Sequence, residues 1–201
     1  MKRFVLASNN EKKLRELGQI LERMGLAVIS QQEAGIHTNP EETGKTFEEN
    51  ARIKARAACE ASGLPAVADD SGLEVEALGG APGIFSARYC PGSDEDRVAF
   101  LLKNMSEIPQ GRRQARFVSA IACVFPDGRE LCCRGECPGE ILNETRGAGR
   151  FGYDPVFYLP EEGLTFAEIP QELKNKISHR AKALERFSTL LENMMKSGEH
   201  E

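Results

Sequence analysis

The spacing of apolar residues predicts that the chain begins with a strand and a helix. Phe4-Val5-Leu6-Ala7 is a short apolar run typical of a buried strand, and the polar Ser8-Asn9-Asn10 predicts a turn. Beyond it, apolar residues recur at spacings of three and four, which places them on one face of a helix. They are Leu14, Leu17, Leu21 and Met24. A second strand is expected at Ala27-Val28-Ile29.

Another helix is predicted after an acidic loop. The loop spans residues 39–44 and carries Glu41 and Glu42, either of which could supply a carboxylate to a metal. Thr46 and Glu49 then form a capping-box pattern, so a helix should run from there to residue 62, with Gly63 just past its end. Its apolar face consists of small residues and one aromatic, which allows close packing on a sheet: Phe47, Ala51, Ala55 and Ala58.

The rest of the chain is organised around an apolar run that ends in two acids, Ala66-Val67-Ala68-Asp69-Asp70. Such a run predicts a buried strand that delivers carboxylates to a crevice. Strand side chains alternate between two faces, so we expect one acid to face the chemistry and the other a structural partner. The sequence Asp-Asp-Ser-Gly is also good turn composition, and a solvated turn is the alternative. Residues 73–77 alternate between apolar and acidic, which predicts a half-exposed strand.

The second half of the chain predicts two more helices and a hairpin. Residues 94–107 have the pattern of an amphipathic helix, and residues 117–125 and 129–137 form two strands joined by Pro-Asp-Gly. A further strand is expected at 156–158, and a long C-terminal helix is expected to open at 174–180. Long antiparallel strands alongside strand–helix units predict an α/β fold with a mixed sheet flanked by helices.

Composition and charge narrow the class of protein. With 201 residues, 40% hydrophobic and 28% charged, the chain is expected to form a single domain over residues 1–201. The net charge of −5 argues against binding of polymeric nucleic acid or of an anionic membrane surface. The sequence has no apolar run long enough to span a bilayer and no secretory signal pattern, so we expect a cytoplasmic protein and no membrane association.

The six cysteines do not have the spacing of a metal site. No Cys-x-x-Cys pair is present, and most of the cysteines fall in the predicted hairpin, where a free thiol packs as a small hydrophobe. They are Cys59, Cys90, Cys123, Cys132, Cys133 and Cys137.

Cations near two predicted helix starts indicate an anion. Lys12 and Lys13 lie in the first turn after Asn10, where the helix dipole disfavours positive charge. Residues 174–180 show the same feature, because lysines, His179 and Arg180 lie near the predicted start of the C-terminal helix. One anion held between two helix N-termini would explain both, as phosphates are bound at such positions. The alternatives are that the lysines are simply solvated and that His179 is a surface or capping group.

A glycine-rich loop at residues 147–155 carries Phe151, Tyr153 and Asp154. Glycines let the backbone approach a ligand closely, and aromatic faces stack on nucleic-acid bases. A flexible connector whose aromatics cap the core is the equal alternative.

Six motifs taken together resemble the inosine triphosphate pyrophosphatase family, and they cover essentially the whole chain in the family's order. They are Ala7-Ser8-Asn9-Asn10-x-x-Lys13, Thr46-Phe47-x-x-Asn50-Ala51, Ala68-Asp69-Asp70-Ser71-Gly72-Leu73, Gly80-Ala81-Pro82-Gly83-x-x-Ser86-Ala87-Arg88-Tyr89, Phe151-Gly152-Tyr153-Asp154-Pro155 and Lys174-Asn175-x-x-Ser178-His179-Arg180. The resemblance implies hydrolysis of the non-standard purine nucleotides ITP, dITP and XTP to the monophosphate and pyrophosphate. It also implies an elongated mixed sheet with two lobes around a central substrate cleft, and a homodimer.

The resemblance implies a role for each matching residue. Asp70 falls at the family's proton acceptor, and Asp70 and Glu41 fall at the ligands of Mg²⁺. The expected substrate contacts are Ser8, Asn9, Asn10, Glu11, Lys12, Lys13, Ser71, Phe151, Gly152, Tyr153, Asp154, Lys174, His179 and Arg180. Two departures stand out. Arg150 replaces a glycine found in many relatives, and Ser8-Asn9 replaces a Thr-Gly but keeps the hydroxyl.

Two other functions fit parts of the pattern. A related pyrophosphatase for modified pyrimidine or methylated nucleotides would keep the acids and lysines but change the base loop. A catalytically silent nucleotide-binding or scaffold protein is disfavoured, because base, metal and phosphate residues are all present together.

Overall fold

The structure is a computed structural model that describes residues 3–8, 17–19, 21–23, 25–148 and 151–197. In this part of the chain, seven strands form one sheet. The strands are β1 (Arg3–Leu6), β2 (Ala27–Ser30), β3 (Ala66–Val75), β4 (Gln114–Val124), β5 (Glu130–Ile141), β6 (Phe157–Leu159) and β7 (Leu164–Thr165). Their order across the sheet is β2-β1-β3-β4-β5-β6-β7.

The sheet is mixed. Strand β1 runs parallel to both β2 and β3, whereas β6 runs antiparallel to both β5 and β7. Helices accompany the sheet, and the predicted α/β class with a mixed sheet is confirmed. Strands β4 and β5 are longer than predicted, because β4 begins three residues before the apolar run at 117–125 and β5 ends four residues after the run at 129–137.

Four α-helices have both ends within the described residues, namely α1 (Phe47–Ser62), α2 (Asp94–Asn104), α3 (Gln171–Ile177) and α4 (His179–Ser197). Helix α1 has the predicted ends, since the Thr46 side chain accepts the Glu49 N–H and Gly63 adopts a φ of 67°. The short 3₁₀ helices Glu76–Leu78 and Gly83–Arg88 follow β3. Residues 17–19 and 21–23 are helical, with Leu17 and Leu21 buried as predicted; Leu14 and Met24 lie outside the described residues.

The prediction of one long C-terminal helix opening at residue 174 is wrong. Helix α3 ends at Ile177, Ser178 is extended with φ −66° and ψ 157°, and α4 begins at His179. The Ser178 hydroxyl accepts the Ala181 N–H at 3.2 Å and so caps α4. Lys174 therefore lies in the last turn of α3, where the helix dipole favours a cation and no anion is needed to explain it.

Three smaller predictions also need correction. Strand β3 is continuous through the acids to Val75 and gives way there to the 3₁₀ helix, so Ala77 is not in a strand. Helix α2 ends at Asn104 rather than at residue 107. The last predicted strand, 156–158, is displaced by one residue to β6.

The chain divides into two compact units, each with its own core. The first unit comprises Met1–Asp70, Ser119–Gly135 and Lys182–Glu201, and the second comprises Ser71–Val118 and Glu136–Ala181. Leucines and phenylalanines such as Leu21, Phe187 and Leu191 fill the first core. Leu101, Phe157 and Phe166 do so in the second. The single domain, the elongated form and the cleft stay predictions.

The cysteines of the hairpin pack as predicted where they are buried. All six are free thiols, and Cys123 and Cys137 lie within the first and the second core respectively. Among the residues described, none of the helices combines the length and apolarity that a bilayer crossing requires.

Candidate active site

Strand β3 carries the two central acids to opposite faces. Asp69 is buried, with 4% of its surface exposed, whereas the Asp70 side chain is half-buried at 13% exposure. Because the acids lie within a regular strand, the prediction of a strand is confirmed and the solvated turn is wrong. The two carboxylates therefore have different surroundings, and Asp70 is the one open to a ligand.

Lys54 of α1 joins Asp70 to the acidic loop. Its Nζ atom lies 2.9 Å from Oδ1 of Asp70 and 2.9 Å from Oε1 of Glu42. Burial lowers the pKa of Lys54, but the attraction of Asp70, hydrogen bonds to Asp70 and Glu42 and the charge of Asp69 outweigh it, so its pKa is raised. Lys54 is therefore a fixed ammonium between two carboxylates.

The packing of α1 explains how Lys54 reaches this position. Phe47, Ala51 and Ala55 are buried, so small side chains let the helix lie close to its neighbours. Asn50, one turn before Lys54, is fully buried, and its Oδ1 accepts the Gly44 N–H at 2.9 Å. That bond ties the loop carrying the acids to the helix carrying the lysine.

Sequence reasoning missed Lys54. The available signal was its position four residues after Asn50, which puts both residues on one face of the predicted helix. The loop acid that contacts Lys54 is Glu42, whereas Glu41, the predicted metal ligand, is exposed. Within the described ranges, His, Cys, Asp and Glu side chains nowhere gather in threes as a metal site. The role of Glu41 stays a prediction.

The predicted triphosphate-binding segment is described only at its start. Ser8 follows β1 and is half-buried. Asn9, Asn10, Glu11, Lys12 and Lys13 lie outside the described residues.

In the second unit, three successive residues of the aromatic loop are held by polar contacts, two of them to side chains and one to a backbone carbonyl. The Gly152 N–H donates to Oδ2 of Asp94 at 2.7 Å, and the Tyr153 hydroxyl donates to the Ser86 carbonyl at 2.9 Å. Asp154 pairs with the ammonium of Lys174. Phe151, the first residue of the motif, is 56% exposed. Residues 151–154 are therefore an anchored segment that presents the Phe151 ring, while the Tyr153 ring lies in the second core, as the alternative expected of the loop's aromatics.

Burial strongly affects the anchoring tyrosine. It raises the pKa of Tyr153 well above its ordinary value, an effect that the positive charge of Arg97 opposes and Tyr89 reinforces. The hydroxyl is consequently protonated at neutral pH and available to donate to Ser86.

Ser86 connects this loop to β3. Its Oγ accepts the Leu73 N–H at 2.8 Å and donates to the Gly83 carbonyl at 2.6 Å, while its own carbonyl accepts from Tyr153. Leu73 follows the predicted substrate contact Ser71 by two residues in β3. The Gly-Ala-Pro-Gly-x-x-Ser motif thus supports the strand and the loop that carry predicted contacts.

Lys174 and His179 gather around buried aromatic rings. The Lys174 ammonium lies 5.0 Å from the centre of the Phe166 ring. The His179 ring stacks on Phe117 with centroids 4.9 Å apart and an angle of 17° between the planes, and it also lies against Phe166. His179 is therefore neither a surface group nor a simple helix cap. Arg180 follows it on α4 and is half-buried.

The structure thus brings the predicted residues together in two sets. One is Asp70 with Glu42 and the newly found Lys54, and the other is the aromatic loop with Lys174 and His179. That these sets share one cleft with the N-terminal lysines stays a prediction.

These features define an α/β protein with a mixed sheet. It has a carboxylate–ammonium cluster beside strand β3 and an aromatic loop held by hydrogen bonds and an ion pair. The chain belongs to the Ham1 family, whose model matches residues 4–190. The resemblance inferred from the six motifs is confirmed.

Individual relatives agree over nearly their full length. A dITP/XTP pyrophosphatase of Symbiobacterium thermophilum is 50% identical over 197 residues, which are 98% of each chain. The protein of the same name from Escherichia coli K12 is 46% identical over 96% of this chain and 100% of its own. Among solved structures, a HAM1 protein from Coxiella burnetii matches with a TM-score of 0.90 at 44% identity, covering 96% of this chain and 100% of the other.

Proposed function

We propose that the protein hydrolyses the non-standard purine nucleoside triphosphates ITP, dITP and XTP to the monophosphate and pyrophosphate. The observation that carries the proposal is the near-complete alignment with dITP/XTP pyrophosphatases at up to 50% identity. The geometry of Asp70 and Lys54 supports it, because a half-buried carboxylate held beside an ammonium suits water activation next to a charged phosphate.

In this mechanism Asp70 orients a water molecule and accepts its proton as the water oxygen attacks the α-phosphorus. The bond between the α-phosphorus and the bridging oxygen breaks, and pyrophosphate leaves with the bonding electrons. The Lys54 ammonium attracts the negative charge that collects on the phosphate oxygens. Lys12 and Lys13 are proposed to stabilise the departing pyrophosphate.

Mg²⁺ is part of the proposal. The donor set fits it, because Asp70 and Glu41 offer hard carboxylate oxygens and magnesium commonly takes only one or two carboxylates together with substrate phosphates and water. When bound, the ion would offset charge on the triphosphate.

The aromatic loop and α4 are proposed to select the base. Phe151 presents an exposed ring that can stack on a purine, and a 6-oxo group can accept hydrogen bonds from a donor such as Arg180. The 6-amino group of ATP would place donor against donor and leave a buried group unpaired, which disfavours ATP. A homodimer and a cytoplasmic location belong to the same proposal.

A pyrophosphate-release assay tests the activity. We expect turnover of ITP, dITP and XTP with Mg²⁺, little turnover of ATP or dUTP, and none without the metal. Preference for dUTP would favour the pyrimidine alternative, and no release from any nucleotide would favour a silent binding protein.

Asp70→Asn tests the catalytic assignment. We expect it to abolish turnover while leaving the circular dichroism spectrum and melting temperature close to those of the parent. Full activity in this variant would remove Asp70 from the proposed role.

A further inference from the structure

The peptide group between Phe151 and Gly152 is held at both of its polar atoms. Its N–H, on Gly152, donates to Oδ2 of Asp94 at 2.7 Å. Its carbonyl, on Phe151, accepts the N–H of Asp154 at 3.2 Å. Because a peptide group is planar, fixing both atoms fixes the backbone from which the Phe151 side chain leaves.

The conformation at Gly152 makes this fixation necessary. Its φ is +54°, in the left-handed region that glycine visits far more readily than other residues. Glycine also has wide conformational freedom, so an external contact is needed to hold the loop in one arrangement. The Asp94 carboxylate provides that contact from helix α2.

Asp94 is not required to cap its own helix. The capping box of α2 is formed by Ser93 and Asp96, whose side chains and backbone N–H groups bond reciprocally. The second carboxylate oxygen of Asp94 accepts from Arg97 one turn later, which orients the carboxylate with its other oxygen on Gly152. Burial raises the pKa of Asp94, but the Gly152 and Arg97 contacts outweigh this and lower it, so the group is ionised at neutral pH.

We propose that Asp94 is a positioning residue for substrate binding, which holds the Phe151–Gly152 peptide so that the exposed Phe151 ring is ready to stack on the purine base. The inference rests on the proposed function, because the purine base that would stack on Phe151 is the base of the proposed substrate. Nothing in the hydrolytic step passes through Asp94. Its loss should therefore weaken binding of the nucleotide and leave the chemistry intact.

Kinetics of Asp94→Ala on ITP separate this role from a merely structural one. We expect KM to rise about tenfold while kcat stays within about twofold of the parent. A structural role alone would lower the fraction of folded enzyme, which reduces kcat and leaves KM unchanged. Glu95→Ala is the matched control, since it removes an exposed acid from the same helix turn, and it should leave both constants unchanged.

A measurement without substrate reports on the loop directly. The chain has no tryptophan, so Phe151→Trp introduces a single fluorophore at the exposed position. Adding Asp94→Ala should increase acrylamide quenching and lower the fluorescence anisotropy, and adding Glu95→Ala should change neither. If the parent hydrolyses no purine triphosphate, the proposed function fails, and the fluorescence comparison still decides whether Asp94 holds the loop.

Two results would overturn the proposal. One is unchanged KM and unchanged quenching in the Asp94→Ala proteins, and the other is an equal effect of Glu95→Ala. Should Asp94→Ala fail to fold, Asp94→Asn replaces it, because the amide keeps one oxygen for Gly152. The KM of Asp94→Asn should lie between the parent value and about ten times that value. An unaltered KM with a lower kcat would count against positioning.

Discussion

The Nζ atom of Lys54 lies 2.9 Å from Oδ1 of Asp70, and it contacts Glu42 at the same distance. One ammonium therefore serves two carboxylates that come from a loop and from strand β3. Asp69, buried next to Asp70 in sequence, adds further negative charge that acts on Lys54. Without the lysine, these acids would repel one another in a place where water is partly excluded.

Lys54→Ala should therefore reduce activity strongly. We expect kcat/KM for ITP to fall about 100-fold, because the variant loses a cation beside the reacting phosphate and the partner that holds Asp70. Pyrophosphate release measures the effect. Arg56→Ala is the control, since Arg56 lies exposed on the same helix and pairs with Glu130. An equal fall in kcat/KM in the two variants would mean that activity depends on the positive charge of α1 in general and not on the contact between Lys54 and Asp70.

Six of the seven strands in the described part of the chain, and the cap of α1, could be predicted from the sequence because their signals are local, whereas the two-residue β7 was not predicted. The apolar run before Asp69 and the capping residues Thr46 and Glu49 determine β3 and the start of α1 through neighbouring residues alone. The aromatic loop could be located from its glycines and aromatics and from the family motif that residues 151–155 match. The choice between an anchored loop and a connector was not possible, because its partners Asp94 and Ser86 lie far away in the chain.

The features that could not be predicted from the sequence depend on tertiary contacts or on weak local signals. Lys54 is one of three basic residues on α1, with Arg52 and Arg56, and only packing brings it to Asp70. The break at Ser178 interrupts an otherwise continuous helical pattern, and although serine favours the N-cap position it also occurs inside helices, so one serine is a weak local signal. Lys174 lies at a helix end, where a cation does not indicate an anion, whereas His179 and Arg180 lie at the start of α4 as predicted.

Arg113 is expected to be important for stability. It is buried at 4% exposure, and its guanidinium donates to the backbone carbonyls of Met105, Ile108, Ile141 and Leu142. Arg113→Met would remove these four hydrogen bonds, and of the four acceptors only the Met105 carbonyl has a further donor among the described residues, in the Ile108 N–H. The expected cost is about 3 kcal/mol in the free energy of unfolding. Urea denaturation measures this loss of unfolding free energy, and the dependence of that free energy on urea concentration should be the same in parent and variant. The exposed neighbour Arg112 supplies the control, and a loss no larger than that of Arg112→Ala would contradict the expectation.

The stability that Asp94 contributes should depend on pH. Burial raises its pKa, but the Gly152 N–H and Arg97 lower it below the ordinary value of 3.8, while the nearby Tyr153 is protonated over the whole acidic range. A depressed pKa means that the unfolded chain takes up the proton first, so the contribution is complete well above pH 3.8 and is lost as the pH falls below it. The melting temperature of the parent should exceed that of Asp94→Asn at neutral pH, and the difference should shrink below about pH 4. A difference that grows on acidification would have the wrong sign for this account.

Lys174 was expected to contact the substrate, but its observed partner is Asp154, with the Phe166 ring beneath the ammonium. Both side chains of the pair are largely buried, so removing either one leaves the other charged and unpaired. A double-mutant cycle on KM for ITP can separate the two roles. If Lys174 acts by holding Asp154, then Lys174→Ala, Asp154→Ala and the double variant should raise KM by similar factors. If Lys174 binds the nucleotide independently, the two single effects should multiply in the double variant.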